Sequence, residues 1–316
     1  MSPQSVPDDV RRMLDERSQA REARDWDLAD ALRDRIAALG WEVQDGPGRS
    51  TARPLLPPEA APTGYADPSD LTSLLEEPST VAASVQLVAD DHPDDLRRAL
   101  EGLAAHPPSV DWELVLVANA PTFALEPILD QIFKMGAFIQ PVVLRAGERL
   151  GWADGRTLGM RRSRGEVTVL LDTSVEQTGD FVAPLLAAFD DPTVGVAGGW
   201  GVTSGDGRTF EEAPPGEVDA VEGYCLAVRR DALRAVGGFD RRFRFYRNAD
   251  LDFSFAVRDA GWRAVRTEPL PLVRHEHRGW TSVSETERDR LSKRNFYRFL
   301  EHWGDRPDLL LHPADE

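Results

Sequence analysis

One segment near the middle of the chain limits its possible folds more than any other. Residues 165–174 (GEVTVLLDTS) contain a short apolar run that leads directly to an acid. A run of this kind is typical of a buried parallel strand. Open α/β sheets bind their ligands just outside the carboxyl ends of their strands. The sequence therefore predicts that Asp172 faces a ligand site, where its carboxylate could hold a sugar hydroxyl or a metal bound to a diphosphate.

The segments around this run alternate between strand and helix patterns. The predicted strands are 81–89, 112–118, 140–144, 167–171 and 194–200, and the predicted helices are 93–105, 123–133, 154–163 and 180–189. This β-α-β-α order predicts the α/β class, with a mainly parallel, Rossmann-like sheet flanked by helices.

The N-terminal part of the chain has a different pattern. Residues 9–23 and 25–39 have helical spacing, with Trp26 at the start of the second apolar stripe, so residues 1–46 are predicted to form a small helical hairpin. Residues 47–78 are rich in proline, and we interpret them as a linker whose regular elements are interrupted at Pro54, Pro57, Pro58, Pro62 and Pro68. Residues 79–316 would then form the α/β domain.

Charge and composition limit the partners and the location that we expect for this chain. The formal net charge of −17 disfavours nucleic acid as the main partner, because its phosphate backbone is also negative. The single cysteine, Cys225, cannot form an intramolecular disulfide; we expect it to be a small buried apolar residue. There is no run of about 18 apolar residues and no signal-peptide pattern. We therefore expect a cytoplasmic protein, with the inner face of the membrane as an alternative location.

Five further segments follow one another in an order that matches a known family. They are 84–100 (SVQLVADDHPDDLRRAL), 112–120 (WELVLVANA), 151–159 (GWADGRTLG), 223–240 (GYCLAVRRDALRAVGGFD) and 248–262 (NADLDFSFAVRDAGW). Together with 165–174 they resemble family 2 glycosyltransferases over about residues 84–280. The resemblance implies the GT-A fold. It also implies inverting transfer of a sugar from a nucleotide-sugar donor to a hydroxyl of a glycan, a lipid-linked molecule or a protein.

The same resemblance assigns roles to individual residues. It makes Asp250 the catalytic base, although an acid in the first turn of a helix also has a purely structural interpretation. Arg156 has a similar alternative as an exposed helix residue. The implied donor-binding residues are Asp90, Asp91, Asn119, Arg156 and Asp172, the acceptor-side residues are Gly223 and Tyr224, and the ligands of a Mn²⁺ or Mg²⁺ ion are Asp172 and His275. His277 is the less well spaced alternative to His275.

Three acids of the family pattern are replaced in this chain. Ala118, Ser174 and Ala249 stand where the family has carboxylates, so the Asp-x-Asp motif that begins at Asp172 is incomplete. Glu176 could replace the acid missing at position 174, and Asp90 and Asp91 could either bind the ribose or repel a diphosphate. The alternative function is therefore a degenerate relative that binds a nucleotide, a glycan or a protein without catalysis.

The N-terminal hairpin has a resemblance of its own. Residues 23–26 (ARDW), 29–34 (ADALRD) and 39–43 (LGWEV) resemble the small C-terminal helical module of cysteinyl-tRNA synthetases. The catalytic motifs of those enzymes are absent from this sequence. The resemblance therefore implies an accessory module that packs or contacts a protein partner, with a retained tRNA contact as the alternative.

Overall fold

The computed structural model describes residues 8–23, 25–38, 41–46, 49–54, 64–90, 92–119, 125–132, 134, 138 and 141–313. The chain divides into two compact units, Met1–Thr63 and Gly64–Glu316. Within the described residues, no helix is both long and apolar enough to cross a lipid bilayer.

The first unit consists of two helices and a β-hairpin. Its elements are α1 (Asp8–Glu22), α2 (Trp26–Ala38), β1 (Trp41–Gly46) and β2 (Arg49–Pro54), and the two strands pair antiparallel. The predicted helices are confirmed, and the apolar side chains of Leu14, Ala29 and Ile36 are buried. Trp26 is 58% exposed, contrary to its predicted place in the apolar stripe, because it is the first residue of α2 and precedes the buried turns.

The second unit is the α/β domain. Its helices are α3 (Pro93–Ala105), α4 (Glu126–Ile132), α5 (Trp152–Arg162), α6 (Val182–Leu186), α7 (Arg230–Val236), α8 (Ala249–Asp259), α9 (Arg278–Thr281) and α10 (Glu285–Trp303). Its strands are β3 (Val81–Ala89), β4 (Trp112–Ala118), β5 (Val142–Arg145), β6 (Gly165–Leu171), β7 (Val175–Gln177), β8 (Val194–Gly198), β9 (Gly201–Thr203), β10 (Glu211–Glu212), β11 (Gly216–Val218), β12 (Ala220–Val221), β13 (Cys225–Arg229), β14 (Arg263–Arg266) and β15 (Leu272–Arg274).

A single large sheet organises this domain. Its strand order is β11-β14-β8-β13-β6-β3-β4-β5, with parallel pairing of β6-β3-β4-β5 and of β14 with β8. The strand β13 runs antiparallel between β6 and β8. Helices and apolar clusters cover both faces of the sheet, so β6 is buried as its continuous apolar run predicts. The predicted mainly parallel α/β fold is confirmed.

The structure places the boundary between the two units differently from the predicted linker. Part of 47–78 is strand β2, and 55–63 lie outside the described residues. Residues 64–78 belong to the second unit, where Leu75 is 5% exposed within an apolar cluster. Arg161 donates to Leu71 O, and Arg230 donates to Glu77 O at 2.8 Å and to Leu74 O. Proline content predicted a break in regular structure, but not this packing.

We propose that the α/β domain folds without the first unit. A chain that begins at Gly64 is expected to keep the melting temperature of the domain. A chain that begins at Pro78 is expected to lose about 2–5 kcal/mol of unfolding free energy, because Leu75 leaves a cavity and Arg230 loses two acceptors. Thermal and urea unfolding of the two chains test this. Equal stability of both chains, or a molten chain from Gly64, contradicts the boundary.

Candidate active site

A cleft of about 480 Å³ opens beside the carboxyl end of β6. Acids, cations and aromatic rings all contribute to its walls. They include Asp172, Glu222 and Asp250, then Arg208, Arg247, His277 and Lys293, and finally Trp152, Phe210, Tyr224, Tyr246 and Phe296.

Asp172 directly follows β6, as the sequence predicts. Its Oδ1 accepts hydrogen bonds from the backbone N–H of Ser174 at 2.9 Å and from Ser174 Oγ at 2.6 Å. Its Oδ2 lies 3.4 Å from Arg156 Nη2 and 3.7 Å from His277 Nε2. Burial opposes ionisation of Asp172, but His277, Arg156 and Ser174 outweigh it and hold the pKa of this carboxyl well below its usual range. Asp172 is therefore an anion at the base of the cleft.

Arg156 supports Asp172 from behind. Its side chain is 2% exposed, and Nη1 donates to Leu171 O at 3.1 Å. Burial lowers the pKa of the guanidinium, while the charges of Asp172 and Asp90 act in the opposite direction. The side chain is not among those that line the cleft, and its burial excludes the alternative of an exposed helix arginine. Arg156 is thus placed to hold the Asp172 carboxylate.

The structure brings His277 to Asp172 and places His275 elsewhere. The short strand β15 pairs antiparallel with β7, and His275 continues it by donating its backbone N–H to Ser174 O. Side chains alternate along paired strands, so His275 shares a face with Glu176, and His275 Nε2 lies 2.6 Å from Glu176 Oε2. The histidine that lies near Asp172 is therefore His277, and not His275 as predicted. Glu176 is engaged by His275 and does not replace the acid missing at Ser174.

The His277 ring is fixed between aromatic groups. It stacks on Tyr246 with ring centroids 4.2 Å apart, and it meets the ring of Tyr224 at a steep angle. Burial lowers the pKa of His277, but the nearby carboxylate of Asp172 more than offsets it, so the pKa is raised above 6.5. The Nδ1 atom is buried and has no hydrogen-bond partner within the described residues.

Asp250 is the second residue of α8 and faces the same cleft. Its Oδ2 accepts the backbone N–H of Gly223 at 2.9 Å, and its Oδ1 accepts the N–H of Leu251 at 3.0 Å. Burial raises the pKa of Asp250, and the two backbone N–H groups partly oppose this. The preceding Asn248 has φ 64°, a left-handed conformation that is unusual outside glycine and that clusters at functional sites.

Gly223 and Tyr224 lie beside Asp250, and Gly223 contributes a backbone donor to it. A Cβ at position 223 would lie 3.5 Å from Asp250 Cβ, which is an ordinary contact, so the glycine is not required for space. Its backbone N–H is the group that orients Asp250. The Tyr224 carbonyl accepts the N–H of Asp172, so these two neighbouring residues connect both acids.

Two other predicted donor residues meet at the ends of β3 and β4. Asn119 Nδ2 donates to Asp90 Oδ1 at 3.0 Å, while the Asn119 amide also bonds both backbone groups of Leu150. Asp90 additionally lies 3.8 Å from Arg149. Asp91 lies outside the described residues.

Asp252 has a structural role at the contact between two helices. Its Oδ1 accepts His302 Nδ1 at 2.7 Å and Trp303 Nε1 at 2.9 Å, which ties α8 to α10. Asp240, Asp252 and His302 converge as metal ligands would. The guanidinium of Arg242 occupies this place, because it contacts His302 Nε2 and bonds Asp240 Oδ2 at 2.8 Å.

Sequence reasoning missed the contributions of Glu222, Arg208 and α10 to the cleft. Burial and the nearby charge of Asp250 raise the pKa of Glu222. Glu222 directly precedes the segment that begins at Gly223, and this position could have indicated that Glu222 lines the cleft. On α10, Phe296 lines the cleft, and Lys293 lies one helical turn before it.

Solved structures identify the fold, and the sequence identifies the family. A crystal structure of GalNAc-T7 with UDP, GalNAc and Mn²⁺ has a TM-score of 0.57 and 18% identity, covering 79% of this chain and 56% of that one. A mannosyltransferase from Pyrobaculum calidifontis with GDP-Man and Mn²⁺ has a TM-score of 0.50 and 18% identity, covering 65% and 57%. The fold is therefore the GT-A type. The family model described as glycosyl transferase family 2 matches residues 87–270, and the chain belongs to this family.

A curated relative agrees with the family, although the chain spans only 37% of its length. The pre-mycofactocin glycosyltransferase of Mycobacterium tuberculosis is 28% identical over 181 residues, 52% of this chain and 37% of that protein. The model of the cysteinyl-tRNA ligase anticodon binding domain matches residues 4–53. The cysteine–tRNA ligase of Chlamydia caviae is 45% identical over 40 residues, 13% of this chain and 8% of the ligase. The resemblance predicted for the N-terminal hairpin is confirmed.

Proposed function

We propose that this protein transfers a sugar from a nucleotide-sugar donor to an acceptor hydroxyl with inversion at the anomeric carbon. One observation supports this most directly: Asp172, at the end of β6, and Asp250, at the start of α8, face a single cleft. The relatives named as glycosyltransferases, and the similar structures that contain UDP or GDP-Man, support the same chemistry.

Asp250 is the proposed base. In one step the acceptor oxygen bonds to the anomeric carbon, the bond from that carbon to the diphosphate oxygen breaks, and the hydroxyl proton passes to the Asp250 carboxylate. The raised pKa of Asp250 suits this role, because a base works best when its pKa approaches the operating pH. The N–H groups of Gly223 and Leu251 hold the carboxylate in one orientation.

The donor is proposed to bind across the ends of β3, β4 and β6. Asp90 and Asn119 lie there as candidates for the nucleoside, together with Asp91, whose position the structure does not describe. Asp172 lies on the diphosphate side. Arg156 is proposed to act through Asp172, by holding its carboxylate ionised and in place.

The residues around Asp172 suit a divalent ion such as Mn²⁺. Asp172 Oδ2 and His277 Nε2, 3.7 Å apart, supply oxygen and nitrogen ligands of the kinds that Mn²⁺ accepts. Asp172 and His277 would hold the ion, with Ser174 bonded to the other carboxylate oxygen. When bound, such an ion would stabilise the negative charge that develops on the leaving diphosphate.

Nucleotide binding and turnover distinguish this function from the degenerate alternative. Calorimetry with UDP and GDP, each with and without Mn²⁺, is expected to show saturable binding. Incubation with the matching nucleotide sugars is expected to release nucleoside diphosphate slowly to water, and faster with an acceptor. Binding without any release would favour the degenerate protein, and absence of nucleotide binding would contradict the proposed transfer and leave only a degenerate relative that binds a glycan or a protein.

Replacing Ser174 with Asp is expected to destabilise the chain in the presence of a chelator. Ser174 is 3% exposed and donates to Asp172, so a second carboxylate there would repel the first. Mn²⁺ is expected to restore the melting temperature and to strengthen nucleoside diphosphate binding by about tenfold or more. Thermal unfolding and calorimetry measure the two effects.

The matched control is Ser174→Asn, which has the size of Asp without the charge and should not respond to Mn²⁺ in this way. If Mn²⁺ changes neither the stability nor the nucleotide affinity of Ser174→Asp, there is no metal site at Asp172.

A further inference from the structure

The cleft contains three cations that the proposed catalytic step does not use. Arg208 lies in the loop between β9 and β10, Arg247 in the turn before α8, and Lys293 on α10. Three separate elements thus direct positive charge to one cavity. The chain as a whole carries a formal charge of −17, yet three basic side chains line this cleft beside its three acids.

These three basic side chains have no carboxylate of the described residues in direct contact, whereas several arginines near them do. In the described part of the chain, none of them forms an ion pair with a carboxylate within 4 Å. Arg290, which is three residues from Lys293 on the same helix, is held by Glu287 at 2.6 and 2.7 Å. Arg266, at the end of β14, is paired with Glu212 at 3.0 Å. The three cations of the cleft are therefore not neutralised by a direct ion pair with any described carboxylate.

The surroundings of the cations suit a bound organic anion. Phe210 and Phe296 line the same cavity and offer apolar contact area to the body of a ligand. The hydroxyl oxygen of Ser292 also belongs to a cleft residue, and it is buried without a hydrogen-bond partner in the described residues. An incoming phosphate or carboxylate could accept a hydrogen bond from this hydroxyl as well as from the guanidinium groups.

We propose that the acceptor carries an anionic group, a phosphate or a carboxylate, which Arg208, Arg247 and Lys293 bind while its hydroxyl reaches Asp250. This inference rests on the proposed function, because it identifies a class of acceptor for the same cleft. Arg247 is three residues before Asp250, so the cations belong to the side of the cleft that holds the base. The proposed donor side contains Asp90 and Asn119, which directly follow β3 and β4.

The three cations also offset the repulsion between an anionic acceptor and the carboxylates of the cleft. The negative charges of Asp172, Asp250 and Glu222 would repel an anionic acceptor from the cleft. Positive side chains at the acceptor's anionic group offset that repulsion and select against neutral molecules of the same shape. Arginine is well suited to this, since its planar donors match phosphate and carboxylate oxygens in pairs.

The test titrates the full-length protein, saturated with the nucleoside diphosphate that it binds, with inorganic phosphate and separately with acetate. The side-chain Nε–H signals of ¹⁵N-labelled arginine report binding by NMR, at an ionic strength held constant with chloride. Saturable shifts of the Arg208 and Arg247 signals are expected. Stronger binding of phosphate indicates a phosphorylated acceptor, and stronger binding of acetate indicates a carboxylated one.

Variants assign the binding to these residues. The double variant Arg247→Gln with Lys293→Gln is expected to bind the preferred anion about tenfold more weakly or worse, since charged hydrogen bonds are lost. Arg290→Gln, on the same helix but paired with Glu287, is expected to bind it as the wild type does. Both variants should keep the nucleotide affinity and the melting temperature of the wild type.

Three results would overturn the inference. The first is no saturable shift with either anion, and the second is equal anion affinity in the double variant. The third is anion binding to the nucleotide-free protein that is lost when nucleoside diphosphate is added, which would place the anion in the donor site. If no nucleoside diphosphate binds at all, the proposed function fails separately, and the anion titration of the nucleotide-free protein still reports on the three cations.

Discussion

Replacing Asp250 with Asn is expected to slow sugar transfer by about 10²- to 10⁴-fold, the usual contribution of a general base. The amide cannot accept the acceptor proton. It also has only one oxygen, whereas the carboxylate accepts the N–H of both Gly223 and Leu251. One of these donors therefore loses its acceptor, so a stability loss of about 1–3 kcal/mol accompanies the loss of rate. Turnover, nucleotide affinity and thermal unfolding should be measured on the same variant.

The loss of rate should be separable from the loss of stability. Nucleotide affinity is expected to survive below the melting temperature, because the proposed diphosphate contacts lie at Asp172. Asp259→Asn, at the far end of α8 in an exposed pair with Arg306, is the control and should turn over normally. Full turnover in Asp250→Asn would exclude this residue as the base.

The wild-type pH profile gives an independent test of Asp250. The base must be ionised, so kcat/KM should fall as the pH drops through the pKa of Asp250. Burial raises this pKa above the ordinary 3.8, so the acid limb should lie above that value. An acid limb at or below an ordinary aspartate pKa would contradict the burial of the base.

Replacing Asp172 with Ala is expected to lower the free energy of unfolding by about 3–5 kcal/mol. The reason is Arg156, which is 2% exposed and would lose the carboxylate partner of its buried charge. Nucleoside diphosphate affinity should fall in the same variant, at a temperature where it remains folded. Urea unfolding and calorimetry measure the two changes.

A double variant identifies the cause of the instability. Asp172→Ala combined with Arg156→Leu removes the unpaired charge, so it is expected to be more stable than Asp172→Ala alone, although it still lacks nucleotide affinity. Asp190→Ala, a carboxylate removed from the surface of the same domain, provides the comparison for a change with little effect. If Asp172→Ala is as stable as the wild type, the ion pair with Arg156 contributes nothing.

Local patterns in the sequence were sufficient for the fold class and for two acids of the candidate site. The continuous apolar run of β6 can be satisfied only by burial on both faces, and the acid that ends it must then lie at the edge of the sheet. Asp250 was found by the same kind of local evidence, an acid in a recognised segment at the start of a helix. These features depend on neighbours along the chain, so the sequence alone identifies them.

Residues 272–277 show where local reasoning ends. Spacing favoured His275 as the partner of Asp172, but the pairing of β15 with β7 directs His275 to Glu176, and the rings of Tyr246 and Tyr224 hold His277 at Asp172 instead. Which histidine faces the cleft depends on a three-residue strand and on aromatic packing with residues far away in the chain.

The sequence by itself thus determined the α/β fold, the family resemblance and the positions of Asp172 and Asp250. Only the tertiary structure decided that Arg156 is buried behind Asp172 and that residues 64–78 belong to the α/β domain. It also decided that Arg208, Arg247 and Lys293 share a cavity. The physical reason is the range of the forces involved. Backbone periodicity is set by adjacent residues, whereas burial and charge pairing are set by whichever distant segments pack together.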